Sequence, residues 1–226
     1  MKTKRAVGGV LLLLSAAAAL LLLWYMAYGG RHDLLRALLS LLFAGALFVA
    51  GLTVSLSALP DEAAKAQFSR RVQWVAFSLY LLSLSVALFV LRIDFANYAA
   101  DRLQYFRNLR LYTNFVPLRT VRLYLRCLKY GYIGTRIPLS NLMGNLLLFA
   151  PMAVLLPALF NSTQKFWRYL LLMFAILTAV EALQLVLGCG SCDIDDVILN
   201  LGGTVLVYWL CRVPPVARLL CRLRLR

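Results

Sequence analysis

Histidine occurs once in these 226 residues, at position 32. With no Ser or Cys partner in a recognisable motif, a histidine-based triad lacks support, and His32 beside Asp33 reads as a solvated turn residue. No glycine loop of Walker or Rossmann type is present, so a phosphate cradle of that kind is excluded. The five cysteines, Cys127, Cys189, Cys192, Cys211 and Cys221, are an odd set without secreted-domain spacing. That argues against a disulfide framework. Charge is scarce at 15%, and acid scarcer still, with 9 Asp+Glu against 24 Lys+Arg. Hydrophobic residues make up 62% and mean hydropathy is +0.80. A soluble domain would be close to half apolar, so the composition is that of a membrane protein. The apolar runs do not alternate, which excludes a barrel and leaves helices.

Six apolar runs are present, at about 7–28, 34–59, 72–93, 138–160, 166–188 and 194–213. Each approaches or exceeds the ~20 residues needed to cross ~30 Å of hydrocarbon. Lys2-Thr3-Lys4-Arg5 before the first run has the look of a signal peptide, but the run continues to Trp24 and reads as an uncleaved span. The expected fold is therefore all-α and polytopic, with about six transmembrane helices plus a basic interfacial amphipathic helix. Its expected parts are an N-terminal membrane region 1–93, a basic loop 94–137, a three-helix core 138–213 and a basic tail 214–226.

The net charge of +15 does not point to nucleic acid, because the basic residues lie between apolar spans and in the tail. With the N-terminus inside, thirteen basic residues fall on inner segments, and the first and last outer loops hold only Arg31 and Arg36. The third loop, 92–137, conflicts with this, since it would place nine more basic residues outside. Either an early segment fails to cross, or something holds this loop on the outer face. Within it, Leu118, Val121, Leu125 and Leu128 recur beside Arg119, Arg122, Arg126 and Lys129. At helical spacing these form a greasy stripe beside a cationic one, the pattern of an interfacial helix that binds lipid phosphate. Pro117 suits its first turn. Tyr105, Phe106 and Arg107 read as interfacial too.

Polar residues gather in the last three runs: Asn141 and Asn145, Glu181 and Gln184, then Asp193, Asp195, Asp196 and Asn200. Consecutive spans alternate in direction, so all three groups belong to one leaflet, where polar side chains are costly and mark a site. Gly144 and Gly202-Gly203 signal close helix packing. Asp193 or Asp195 is placed to cap the last helix. A salt bridge to the basic loop and a divalent-cation site are further readings of the acids. Cys189-Gly-Ser-Cys192 is a redox-like spacing without a thioredoxin-like setting.

Read in order, Asn114-Phe-Val-Pro117, Asn141-xxx-Asn145-xxx-Phe149-x-Pro151, Glu181-xx-Gln184 and Asp193-Ile-Asp195-Asp196-xxx-Asn200-x-Gly202 resemble the VanZ-like family of bacterial membrane proteins, over about residues 112–210. The resemblance implies a multi-pass protein of the bacterial cell membrane, linked to reduced teicoplanin susceptibility. Relatives carry an Arg shortly before the first Asp, where this chain has Gly188-Cys189-Gly190-Ser191-Cys192. If that Arg pairs with the acids, Arg136 or another loop arginine must replace it. The first expectation is a protein that binds an anionic envelope lipid, or the cell-wall precursor lipid, through the basic loop and the polar cluster. An enzyme acting on a lipid phosphate or headgroup, with Glu181 or Asp196 as general base, is the alternative. A transporter or structural subunit is another, though no repeat supports transport. No cofactor is expected, and no protein partner is indicated.

Overall fold

In the computed structural model the chain is all-α apart from one pair of two-residue strands. The structure describes residues 2–28, 34–93, 95–132 and 134–225, with the side chains of 20–28, 34–38 and 41 set aside. His32, with Arg31 and Asp33, lies outside the described residues. In chain order the elements are α1 (Lys2–Tyr28), α2 (Leu34–Ser57), α3 (Glu62–Leu88), α4 (Tyr98–Arg107), β1 (Thr113–Asn114), α5 (Arg119–Tyr130), α6 (Arg136–Leu148), α7 (Met152–Leu159), α8 (Phe166–Leu187), β2 (Cys192–Asp193), α9 (Ile194–Leu210) and α10 (Pro214–Arg222).

Among the described residues, three stretches are long and apolar enough to cross a membrane: Glu62–Arg92, Arg136–Leu159 and Phe166–Leu187. The pair α9 and α10 makes a fourth only if counted together. The structure thus supports three to four candidate spans where the sequence reading expects six. The shortfall has two sources. α9 alone has 17 residues, about 26 Å at ~1.5 Å per residue. α1 and α2 are helices of 27 and 24 residues, but residues 20–28 of the first and 34–38 and 41 of the second are among the side chains set aside, and the described part of α1 carries Lys2, Lys4 and Arg5.

The chain divides into two compact units, 1–83 with 210–226, and 84–209. The first groups the early helices with the C-terminal segment 210–226. In it, α1 and α2 touch through glycines. A Cβ at Gly8 would stand 2.8 Å from the Ser55 backbone nitrogen, and one at Gly51 would stand 2.9 Å from that of Leu12. The Ser15 hydroxyl donates to the Ala44 carbonyl at 2.8 Å.

In the second unit, α8 buries one stripe: Tyr169, Met173, Leu177, Glu181 and Gln184. Steps of four and three keep these on one face. Tyr169 stacks on Tyr208 of α9 with ring centroids 4.4 Å apart, and its hydroxyl is bonded to that of Thr204. The Tyr208 hydroxyl donates to the Gln164 carbonyl at 2.6 Å. Both buried rings therefore keep partners for their polar ends. α6 breaks at Pro151, where Met152 and Ala153 donate to Phe149 and Ala150 in tight turns before α7 continues. α6 meets α9 at Gly203, where a Cβ would fall 1.7 Å from the Leu146 carbonyl oxygen. Gly202 and Gly144 face open space, so of the three glycines expected to mark close packing only Gly203 does.

Gly203→Ala therefore forces α6 and α9 apart at a cost of about 1–3 kcal/mol. Gly202→Ala is neutral or slightly stabilising, since Ala is the better helix former. Melting temperatures of both variants in detergent check this contrast.

Candidate functional site

The loop that closes α8 is shaped by its small residues. Gly188 takes φ +66, with its N–H bonded to the Leu185 carbonyl and that of Cys189 to the Gln184 carbonyl. This is the Schellman closure that glycine favours. Gly190 leaves room for Arg92, whose Nη1 lies 2.9 Å from where a Cβ would stand. Tyr98 donates to the Leu187 carbonyl at 3.1 Å and Arg102 to the Val186 carbonyl at 3.1 Å. A cation at those last carbonyls also meets the negative end of the helix dipole.

The acidic triplet divides its labour. Asp193 caps its own helix, since its Oδ1 accepts from the Asp195 N–H at 2.8 Å. The same carboxylate accepts from the Asn114 side-chain amide at 2.8 Å and the Thr120 hydroxyl at 2.6 Å. Asp195, fully buried, caps a different helix: its two oxygens accept the N–H groups of Leu118, Thr120 and Val121 at the start of α5. Asp196 accepts from the Asn145 side-chain amide, joining α9 to α6. β1 and β2 run parallel, pairing Thr113 with Cys192 and Asn114 with Asp193. Pro117 lies before α5, not in its first turn, and Leu118 takes φ 62, a left-handed conformation held by the Asp195 cap.

Glu181 is buried and accepts from the Asp193 backbone N–H at 3.1 Å. Gln184, 2% exposed, donates to the Leu88 carbonyl at 3.3 Å. The Asn200 amide donates to the Asp196 carbonyl at 2.8 Å, while its buried Oδ1 has no protein partner among the described residues. The geometry thus links Asn145, Glu181, Asp193, Asp195, Asp196 and Asn200, with Gln184 on the neighbouring turn of α8. Asn141 stays apart: it is exposed, and its amide returns to the Ile137 carbonyl of its own helix.

Arg119, Arg122, Arg126 and Lys129 are exposed on α5, while Thr120, Val121, Tyr124, Cys127 and Leu128 turn toward the protein. Leu125 belongs to the exposed set, so the greasy stripe read from the sequence is divided between the two sides. None of the four cations is ion-paired among the described residues.

Three residues near the site carried no sequence signal as members of it. Arg92 is the arginine whose charge reaches Glu181 and Asp196, whereas Arg136 is exposed and joins none of these contacts. Tyr105, read as interfacial, is 4% exposed, packs against Tyr112 with ring centroids 4.4 Å apart, and its hydroxyl has no partner among the described residues. Burial raises its pKa, and the neighbouring thiols and Glu181 add to the shift. Tyr124 is raised likewise, by burial and then by Asp196 and Asp193. Only the small-residue loop, which admits Arg92 and receives Tyr105, hinted at them. No group of three His, Cys, Asp or Glu among the described residues is arranged to hold a metal ion.

A family-level comparison matches residues 77–218 to VanZ/LLP1. The chain belongs to the VanZ/LLP1 family. With its apolar helices, this family membership makes it a membrane protein. No curated protein and no solved structure matches the chain. The matched stretch holds every element of the polar cluster, and within it Asn114 and Asp193 meet in hydrogen-bond contact.

All five cysteines are free. Burial pushes the Cys189 and Cys192 thiols up, so the thiolate fraction at neutral pH falls below that of an ordinary thiol. Both are expected to alkylate slowly at pH 7 and to react only as pH passes above the usual thiol range. Rates of maleimide labelling against pH, read by peptide mass spectrometry, check this. Asp195→Ala strips three α5 amides of their acceptor and should cost about 2–3 kcal/mol. Hydrogen exchange is expected to accelerate first at residues 118–121.

Proposed function

We propose that this VanZ/LLP1 protein is a multi-pass protein of the bacterial cell membrane that holds the phosphate of an anionic envelope lipid on the exposed face of α5. Its tie to teicoplanin, a lipoglycopeptide, runs through that lipid. The observation carrying this reading is the uncompensated basic face. Arg122, Arg126 and Lys129 line an open cleft of about 320 Å³ with Leu125 and Tyr130. Cations supply phosphate contacts there and the apolar neighbours suit acyl chain or headgroup carbon.

On this reading the chain crosses six times, with α5 lying in the outer interface. The start of α8, with Lys165 and Arg168, faces the cytoplasm, in keeping with the positive-inside rule. Trp167 and Trp209 are 70% and 51% exposed and suit an aromatic belt at that end. The enzyme reading is less favoured. Glu181 and Asp196 each accept a hydrogen bond from the protein, and the Cys192 thiol near Glu181 is pushed up by burial, which makes it a poor nucleophile at neutral pH.

Replacing Arg122, Arg126 and Lys129 together by Gln removes about 1 kcal/mol of lipid attraction per charge, or about two orders of magnitude in affinity. Anionic phospholipid retained on the purified protein, measured by mass spectrometry, should fall accordingly. Teicoplanin protection of a sensitive host, compared at equal membrane levels, should fall with it while vancomycin susceptibility stays unchanged. Full lipid retention by the triple variant would refute the reading.

A further inference from the structure

The first unit contains a second basic cleft, and all of its lining residues lie outside the stretch matched to the family. It is lined by Leu56, Ser57, Glu62, Lys65, Cys221, Arg222 and Arg224 and has a volume of about 590 Å³, within the usual range for small-ligand sites. The end of α2, the start of α3, the end of α10 and the residues just after it form its walls. These walls are built rather than incidental. The Ser69 hydroxyl donates to the Leu223 carbonyl at 3.1 Å, and the Gln73 amide donates to the Arg224 carbonyl at 2.6 Å. Leu223 and Leu225 are 2% and 6% exposed, so the strand of chain carrying Arg224 is anchored on both sides of it.

Charge in the cleft does not balance. Lys65 and Arg224 both pair with the single carboxylate of Glu62, and Arg222 has no acidic partner among the described residues. Glu62 is largely exposed, so these pairs hold their cations weakly. The other acid nearby, Asp61, is occupied at the start of α3, accepting from the Ala64 N–H at 2.6 Å. Three cations therefore face one shared carboxylate, at the end of an apolar helix, where a membrane presents its headgroups.

We infer that this cleft binds a phosphate-bearing anion through Lys65, Arg222 and Arg224, independently of the α5 face. Guanidinium groups match phosphate oxygens in two-bond geometry, and the weak pairs with the exposed Glu62 leave Lys65 and Arg224 free to turn to an anion. The anion is either a phospholipid headgroup or a free phosphate compound, since the recognising chemistry is shared.

Cys221 lines the cleft and is exposed, whereas Cys127, Cys189 and Cys211 are buried and Cys192 is partly covered. The full chain in nanodiscs is labelled with N-ethylmaleimide, an uncharged probe, and the rate at Cys221 is read by peptide mass spectrometry. In phosphatidylcholine discs containing phosphatidylglycerol, labelling should slow about tenfold relative to pure phosphatidylcholine, as for a site with ligand at about ten times its Kd. Slowing in pure phosphatidylcholine by added inorganic pyrophosphate would support the site with a soluble phosphate as its source. Arg222→Gln and Lys65→Gln should each reduce the protection. Arg218→Gln, on the same helix but outside the cleft, should keep it, which separates occupancy from a general surface-charge effect. Equal rates in every lipid and with pyrophosphate would overturn the inference, as would protection that survives Arg222→Gln and Lys65→Gln together.

Discussion

The second unit depends on a carboxylate that caps a helix it does not belong to. Asp195 is fully buried, and taking such a charge from water costs several kcal/mol. The cost is met because the start of a helix has N–H groups without intrahelical partners. Asp195 accepts three of them from Leu118, Thr120 and Val121, each a charge-assisted bond. The exchange is reciprocal: the acid needs donors, the helix needs acceptors, and neither finds them locally. α5 has no side-chain cap of its own, and Leu118 sits in a left-handed conformation that L residues avoid. The direction of α5, and hence the presentation of its cations, is set by a residue 75 positions later in the chain.

The same lock accounts for a basic loop that contradicts the positive-inside tally. Residues 92–137 are not free to choose a side. Tyr98 and Arg102 bind the last carbonyls of α8, Cys192 donates to the Tyr112 carbonyl, and Asn114 binds Asp193. The loop stays beside the junction where α8 ends and α9 begins. On the proposed six-span reading nine basic residues there oppose the rule, yet charges in a folded, tethered loop are only one contribution to orientation. Several of them also have local work: Arg102 meets a helix dipole and two aromatic rings, and Arg92 covers the Gly190 turn.

Much of this architecture was legible because it repeats a period. Glu181 and Gln184 share the buried stripe of α8, and the three-four recurrence of 118–129 does form a helix. A cap on α9 from Asp193 or Asp195 followed from position, and Asp193 is the one that supplies it. The partner of Asp195 could not be read, because an N-cap carboxylate for one helix and a cap for a distant helix are the same residue type at the same spacing. Arg92 was equally hidden, since its reach over Gly190 depends on where α3 stops. Tyr105 was misjudged because an aromatic between arginines suits an interface as well as a core. Asn141 and Asn145 share a face by spacing, but only Asn145 is deep enough along α6 to meet Asp196, and Asn141 is left to bond its own turn.

Occupancy of the α5 amides also constrains how a lipid could be recognised there. A helix start with open N–H groups is a ready anion site, directional and selective for tetrahedral oxygen anions. Here that site is filled by Asp195, so a phosphate approaching α5 meets only side chains. Long, exposed arginines and a lysine give attraction without fixed geometry, which favours negative charge over any one headgroup. Such binding is screened by salt over about 8 Å at physiological ionic strength. Selectivity, on the proposed reading, would then have to come from the apolar side of the cleft, where Leu125 and Tyr130 meet the part of the lipid that differs from one envelope lipid to the next. The buried acids would act at a distance, by fixing the helix that carries the cations and not by touching the lipid.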